Sequence, residues 1–203
     1  MHFDYVRYPT DDFDYSRDAL AAFQASLAQN LSAASQRLSD EQRTHEPTLA
    51  VRLFPERWRL FRMARLTDLI GRLKGTVRAA RPRAVISAAV GPDPVESAAR
   101  RLQDWRSWLA RDLVDVICPM AYTTDSAVFA SQIAAARDLA GRHPVWAGIG
   151  AYLLTPGQIA DNVSAARRLG VGGIILFSYD SLTSSSRGPD YLAQVGRSIE
   201  GQK

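Results

Sequence analysis

Short apolar runs separated by longer segments of helical period constrain this chain more than anything else in it. VISAAV, VDVICPM, PVWAGIG and GGIILFS are apolar at nearly every position, so both faces of each run must be covered. Parallel strands flanked by helices meet that requirement, whereas a half-solvated antiparallel strand alternates instead. The spacing predicts strands over residues 1–6, 84–90, 113–119, 144–149 and 172–178, and helices over 17–30, 56–80, 97–111, 126–141, 156–168 and 188–199. Strand and helix alternate throughout, the signature of an α/β fold built from crossover units. With 203 residues, 46% of them hydrophobic, the chain can bury one substantial core, and we read residues 1–203 as a single domain. Residues 31–55 exceed an ordinary strand-to-helix connection and are read as a loop excursion, lying over the mouth of the fold or carrying a short helix as a lid.

Composition removes several function classes. The net charge of +4 comes from arginines spread along helices such as ERWRLFRMARLTDLIGRLKGTVRAARPR, the pattern of a solvated helix face, and no nucleic-acid partner is expected. No apolar run reaches the length of a membrane span. One cysteine, Cys118, excludes an internal disulfide and reads as a small buried hydrophobe. Three isolated histidines and that cysteine make no metal-ligand cluster. GVGGI places its glycines at a strand start, the wrong end for a phosphate cradle, so neither a metal nor a nucleotide cofactor is indicated. Ser87 and Ser178 have no accompanying histidine for a nucleophilic triad, since His45 falls in a loop and His143 at the wrong end of a strand.

The chemistry gathers where strands end. GPDP, YTTD, AYLLTPG and SYDSL follow the apolar runs, and α/β folds place their sites at such C-terminal strand ends. The first run, HFDYVRYP, carries charge inside a strand pattern. Alternation puts His2 and Asp4 on one face and Phe3 and Tyr5 on the other, so if the aromatics pack outward Asp4 faces the interior near the rim. A carboxylate there needs a partner, and Arg7 is the nearest. An Asp4–Arg7 pair favours the ionised carboxylate, which suits a nucleophile or an electrostatic stabiliser; a purely structural pair is the alternative.

HFDYVRYP, DFDYSRDALAAF, VISAAVGPDP, LQDWRSWL, VDVICPMAYTTD, PVWAGIGAY and GGIILFSYDSL, taken in order, resemble the glycosyl hydrolase-like 10 family of bacterial proteins. The resemblance implies a (β/α)8 TIM barrel of glycoside hydrolases in which the counterpart of HFDYVRYP is the fourth strand. The expected fold is therefore an incomplete barrel, strands four to eight with their helices, truncated at its N-terminus. Five strands leave two raw edges, so we expect a missing N-terminal half of the barrel or a partner covering them. The same resemblance implies that the full-length form is exported.

Glycoside hydrolysis uses two carboxyl groups. Asp4 is the first candidate for nucleophile or base. Asp93, in VGPDP, is the leading candidate for the second, with an ordinary turn residue as its alternative. No strand end carries a glutamate. Tyr8, Tyr122, Trp146, Tyr152 and Tyr179 are read at or near strand ends, as faces for a sugar ring, while His2, Arg7, Asp125 and Asp180 are candidates for its hydroxyls. Asp125 is equally a helix N-cap, and Asp104 a residue that starts a helix and holds a loop. The expected function is hydrolysis of a bacterial polysaccharide or cell-surface glycan, and the alternatives are a non-catalytic carbohydrate-binding barrel or an inactive fragment.

Overall fold

The computed structural model describes residues 1–10, 13–28, 46 and 48–201. The strands are β1 (His2–Phe3), β2 (Ser87–Val90), β3 (Val116–Pro119), β4 (Trp146–Gly150) and β5 (Gly173–Phe177). Between and after them run α1 (Arg17–Ala28), α2 (Leu49–Leu53), α3 (Pro55–Ala80), α4 (Pro94–Arg101), α5 (Trp105–Ala110), α6 (Ser126–Ala140), α7 (Pro156–Arg168), α8 (Tyr179–Leu182) and α9 (Tyr191–Glu200). The chain has an α/β fold. β1, β2 and β3 form one parallel sheet in that order and β4 pairs in parallel with β5. Two isolated parallel bridges, Ile117 to Val145 and Met120 to Gly148, carry the order across from β3 to β4.

Register and alternation divide the residues between two faces. Phe3, Ile86, Ala88, Val90 and Ile117 pack in one cluster with Leu66 and Ile70 of α3 and with Trp105, Trp108 and Leu109 of α5. Ala147 and Ile149 of β4 pack with Phe129 and Ile133 of α6 and with Ile159, Val163 and Ala166 of α7. A third cluster joins Leu20, Phe23 and Leu27 of α1 to Val51 and Trp58. His2, Ser87, Ala89 and Cys118 alternate onto the opposite face of the first sheet.

The observed strands are shorter than expected, β2 and β3 each beginning three residues later, and three further departures bear on the site. The first strand ends at Phe3, not at residue 6, because Asp4 turns its own carboxylate onto the chain. Asp4 Oδ1 accepts the Tyr5 N–H at 2.7 Å and the Tyr5 carbonyl accepts the Arg7 N–H at 2.8 Å. Tyr5 takes φ +54° and is 74% exposed, so it does not pack outward beside Phe3.

The helix expected over 97–111 is two helices. Leu102 closes α4 at φ +54°, and the Asp104 carboxylate starts α5 by accepting the Ser107 N–H at 3.2 Å. Gln103, fully buried at the break, donates to the Val6 and Ala89 carbonyls at 3.0 Å each and accepts the Gly91 N–H at 2.8 Å. The segment before the last helix holds α8 and a 3-10 turn at Ser185–Arg187, so that helix begins at Tyr191 and not at residue 188. Of the excursion over 31–55, α2 is observed; residues 31–45, His45 among them, and residue 47 lie outside the described residues.

Candidate functional site

The turn that cuts β1 short brings Asp4 and Arg7 together. Arg7 Nη1 lies 3.9 Å from Asp4 Oδ1, with the carboxylate side chain 40% exposed and the guanidinium side chain 18%. The same Nη1 approaches Met120 Sδ at 3.7 Å, and the guanidinium carbon stands 4.8 Å from the centre of the Tyr5 ring. Beside this pair opens a cleft of about 320 Å³, lined on one side by Arg7, Met120 and Tyr122 and on the other by Gly91, Asp93, Glu96, Arg100 and Arg101. Gly91 has no room for a side chain there, since a Cβ would meet Ser97 Oγ at 2.1 Å.

The candidate carboxylates differ in what already occupies them, and of those that follow only Asp93 and Glu96 line the cleft. Asp93 is the N-cap of α4, its Oδ1 accepting the Val95 and Glu96 N–H groups at 2.7 and 2.9 Å. Glu96, in the first turn of α4, lines the cleft and lies 3.7 Å from Arg100 across an exposed pair. Its place inside α4 and not at a strand end gives it no signal in the sequence. Asp125 caps α6 through the Ala127 and Val128 N–H groups at 2.8 and 3.1 Å. Asp180 lies exposed in the first turn of α8. Asp104 lines a different surface depression with Arg59 and Arg106.

An aromatic platform continues from the cleft through Tyr122. Tyr122 stacks on Phe177 with centroids 5.5 Å apart and planes at 16°, and Tyr152 stands edge-on to both at 6.2 and 6.3 Å. These rings follow β3 and β4 and end β5. Phe177 is 40% exposed and was missed because it closes an apolar strand run that reads as core. Gly150 makes the platform possible: a Cβ there would stand 2.9 Å from Tyr122 Cβ and 3.1 Å from its Cγ. Arg187 holds the Tyr152 segment by donating to the Tyr152 and Leu154 carbonyls and to the Tyr191 hydroxyl, which itself donates to Leu154 at 2.8 Å. Burial, assisted by the negative charge of Asp4 and by Tyr152 and opposed by Arg7, pushes the Tyr122 hydroxyl up to about 12.

Other expected aromatics sit elsewhere. Trp146 is the first residue of β4, at the N-terminal end of the strand, and its indole closes over Gly173, where a Cβ would meet it at 2.7 Å. Tyr8 packs against the helical core, edge-on to Phe13 at 6.3 Å and under the Arg62 guanidinium at 5.8 Å. Burial raises its hydroxyl above the ordinary range, with Arg62 opposing. Tyr179, at the start of α8, is 70% exposed.

The face of the first sheet opposite the helical cluster carries a hydrogen-bonded pair that the sequence reading excluded. His2 Nδ1 lies 2.9 Å from Ser87 Oγ, so Ser87 does have a histidine beside it. Ser87 is 2% exposed, which withholds it from a substrate. Burial lowers the His2 pKa, with Asp4 opposing and the N-terminal amine assisting. Burial likewise pushes the Cys118 thiol up to about 12 against a hydrogen bond from Ser87, which keeps it an unreactive thiol. Among the described residues no group of three acidic, histidine or cysteine side chains could hold a metal ion, and no helix is long and apolar enough to cross a membrane.

No curated protein matches the chain. A family model does match, over residues 1–153, a span that contains Asp4, Arg7, the arginine-lined cleft, Tyr122 and Tyr152. By that match the chain belongs to the glycosyl hydrolase-like 10 family.

Proposed function

We propose that this protein is a glycoside hydrolase acting on a bacterial polysaccharide or cell-surface glycan, with Asp4 as nucleophile or base. The observation that carries this reading is the juxtaposition at one strand-end rim of an accessible carboxylate beside a guanidinium and a platform of three aromatic rings. Aromatic faces suit the apolar side of a sugar ring, and the Arg7 guanidinium, 3.9 Å from Asp4 Oδ1, suits a sugar hydroxyl as a hydrogen-bond donor. Glu96 becomes the better candidate for the second carboxyl, since both backbone bonds of Asp93 Oδ1 serve the helix start. Family membership supports a carbohydrate-directed role.

The parallel order of five sequential strands with helices packed on one face supports reading them as part of a (β/α)8 barrel. On that reading, the edges of β1 and β5 that pair with nothing among the described residues take up further strands, from the same polypeptide or from a partner.

A second reading, a non-catalytic carbohydrate-binding barrel, draws on the capping role of Asp93. Release of reducing ends from bacterial glycans by the unmutated and Asp4→Asn proteins separates the two. The hydrolase reading expects Asp4→Asn to lose activity by about a hundredfold or more. Undiminished release by Asp4→Asn removes Asp4 from the chemistry, and binding without release by the unmutated protein favours the binding barrel.

A further inference from the structure

We infer that the cleft beside Asp4 selects a glycan carrying carboxylate groups, with a sugar ring on the Tyr122–Phe177 platform and an acidic substituent of the adjoining residue between Arg7, Arg100 and Arg101. The inference rests on the carbohydrate reading above and adds the charge of the substrate.

Three guanidiniums line this one cleft, from the turn after β1 and from the last two residues of α4. Two carboxylates line it as well, but neither closes on a guanidinium fork. Asp93 turns Oδ1 to two backbone N–H groups, and Glu96 faces Arg100 at 3.7 Å in an exposed pair of the kind that contributes little and exchanges readily. Arg7 has Asp4 only at 3.9 Å, and Arg101 reaches the neutral Pro9 carbonyl at 3.5 Å. Guanidiniums are planar forks that match a carboxylate through paired N–H bonds, and a neutral hydroxyl uses only part of that capacity.

The geometry also fixes where the charge must lie. Tyr122 belongs both to the cleft wall and to the stacked pair with Phe177, so the platform and the arginines adjoin through one side chain. A ring stacked on the platform therefore carries its neighbour in the glycan chain toward the guanidiniums. The backbone behind Arg100 and Arg101 is tied to the turn after β1, since the Arg101 carbonyl accepts the Tyr8 N–H at 3.0 Å and Gln103 spans both segments. The two sides of the cleft are held as one unit.

The test is calorimetric titration of the whole chain with oligogalacturonate and with hyaluronan oligosaccharides, each beside its carboxyl-reduced neutral form, and with single-stranded DNA. At least one acidic glycan is expected to bind about tenfold or more tightly than its reduced form. An Arg100→Met, Arg101→Met double variant should lose most of that preference, the acidic form losing more affinity than the reduced one, and Arg101→Lys should retain part of it. Equal binding of acidic and reduced forms overturns the inference and leaves the carbohydrate reading standing. Binding of neither form overturns both. Single-stranded DNA binding with the same arginine dependence shows a general polyanion patch and also overturns it.

Discussion

At the scale of single residues, Tyr122 joins the parts of the site. It lines the cleft, stacks on Phe177 and feels the charge of Asp4. Its hydroxyl is raised from 10.0 to about 12, so the folded state holds the proton more tightly than the unfolded chain. The associated stability is complete below pH 10 and declines as the pH rises toward 12. Denaturant unfolding across that range should show the decline, and Tyr122→Phe should flatten it. Gly150 tests the same contact from the other side. Gly150→Ala drives a methyl against Tyr122 and should cost about 1–3 kcal/mol of stability and tilt the ring, read by urea unfolding and near-UV circular dichroism.

What the sequence revealed at this scale follows from geometry. Strand ends are identifiable from apolar runs, so Asp4, Arg7, Tyr122 and Tyr152 could be grouped before any coordinates. Trp146 lies nearer the N-terminal end of its strand under the expected bounds, 144–149, as well as the observed ones, so it does not belong with the aromatics of the C-terminal rim. Glu96 lies in the first turn of α4, beyond the loop that follows β2, and Phe177 resembles core in composition alone.

At the scale of elements, the junctions decide the site's shape. The single helix expected over 97–111 could not be divided from sequence, because Leu102 is an ordinary helix former and its left-handed conformation is imposed by tertiary contacts. Those contacts run through Gln103. Gln103→Leu keeps the volume but leaves the Val6 and Ala89 carbonyls and the Gly91 N–H without their partner, and should cost about 2–4 kcal/mol in urea unfolding. Asp93 belongs to the same junction. As a cap, Asp93→Ala should cost about 1 kcal/mol, while Asp93→Asn, which still accepts the two N–H groups, should stay within about 0.5 kcal/mol of the unmutated protein. If Asp93→Asn abolishes glycan hydrolysis at unchanged stability, Asp93 and not Glu96 is the second carboxyl.

At the scale of the whole molecule, sequential parallel strands place every βα turn on the same rim, so residues as distant as Asp4 and Phe177 border one surface. The alternation of strand and helix was legible because the four later strand runs are apolar at nearly every position. The early end of β1 was not, because HFDYV continues the strand pattern while Asp4 and Tyr5 form a local turn that composition does not signal. The account's central claim is that the substrate binds at this rim. Hydrogen–deuterium exchange of the whole chain, with and without the glycan that it cleaves or binds, locates that surface directly. Slowed exchange is predicted at residues 4–8, 120–123, 150–153 and 177–179. Slowing confined to the opposite strand ends, residues 81–86, 112–115 and 142–146, would contradict it.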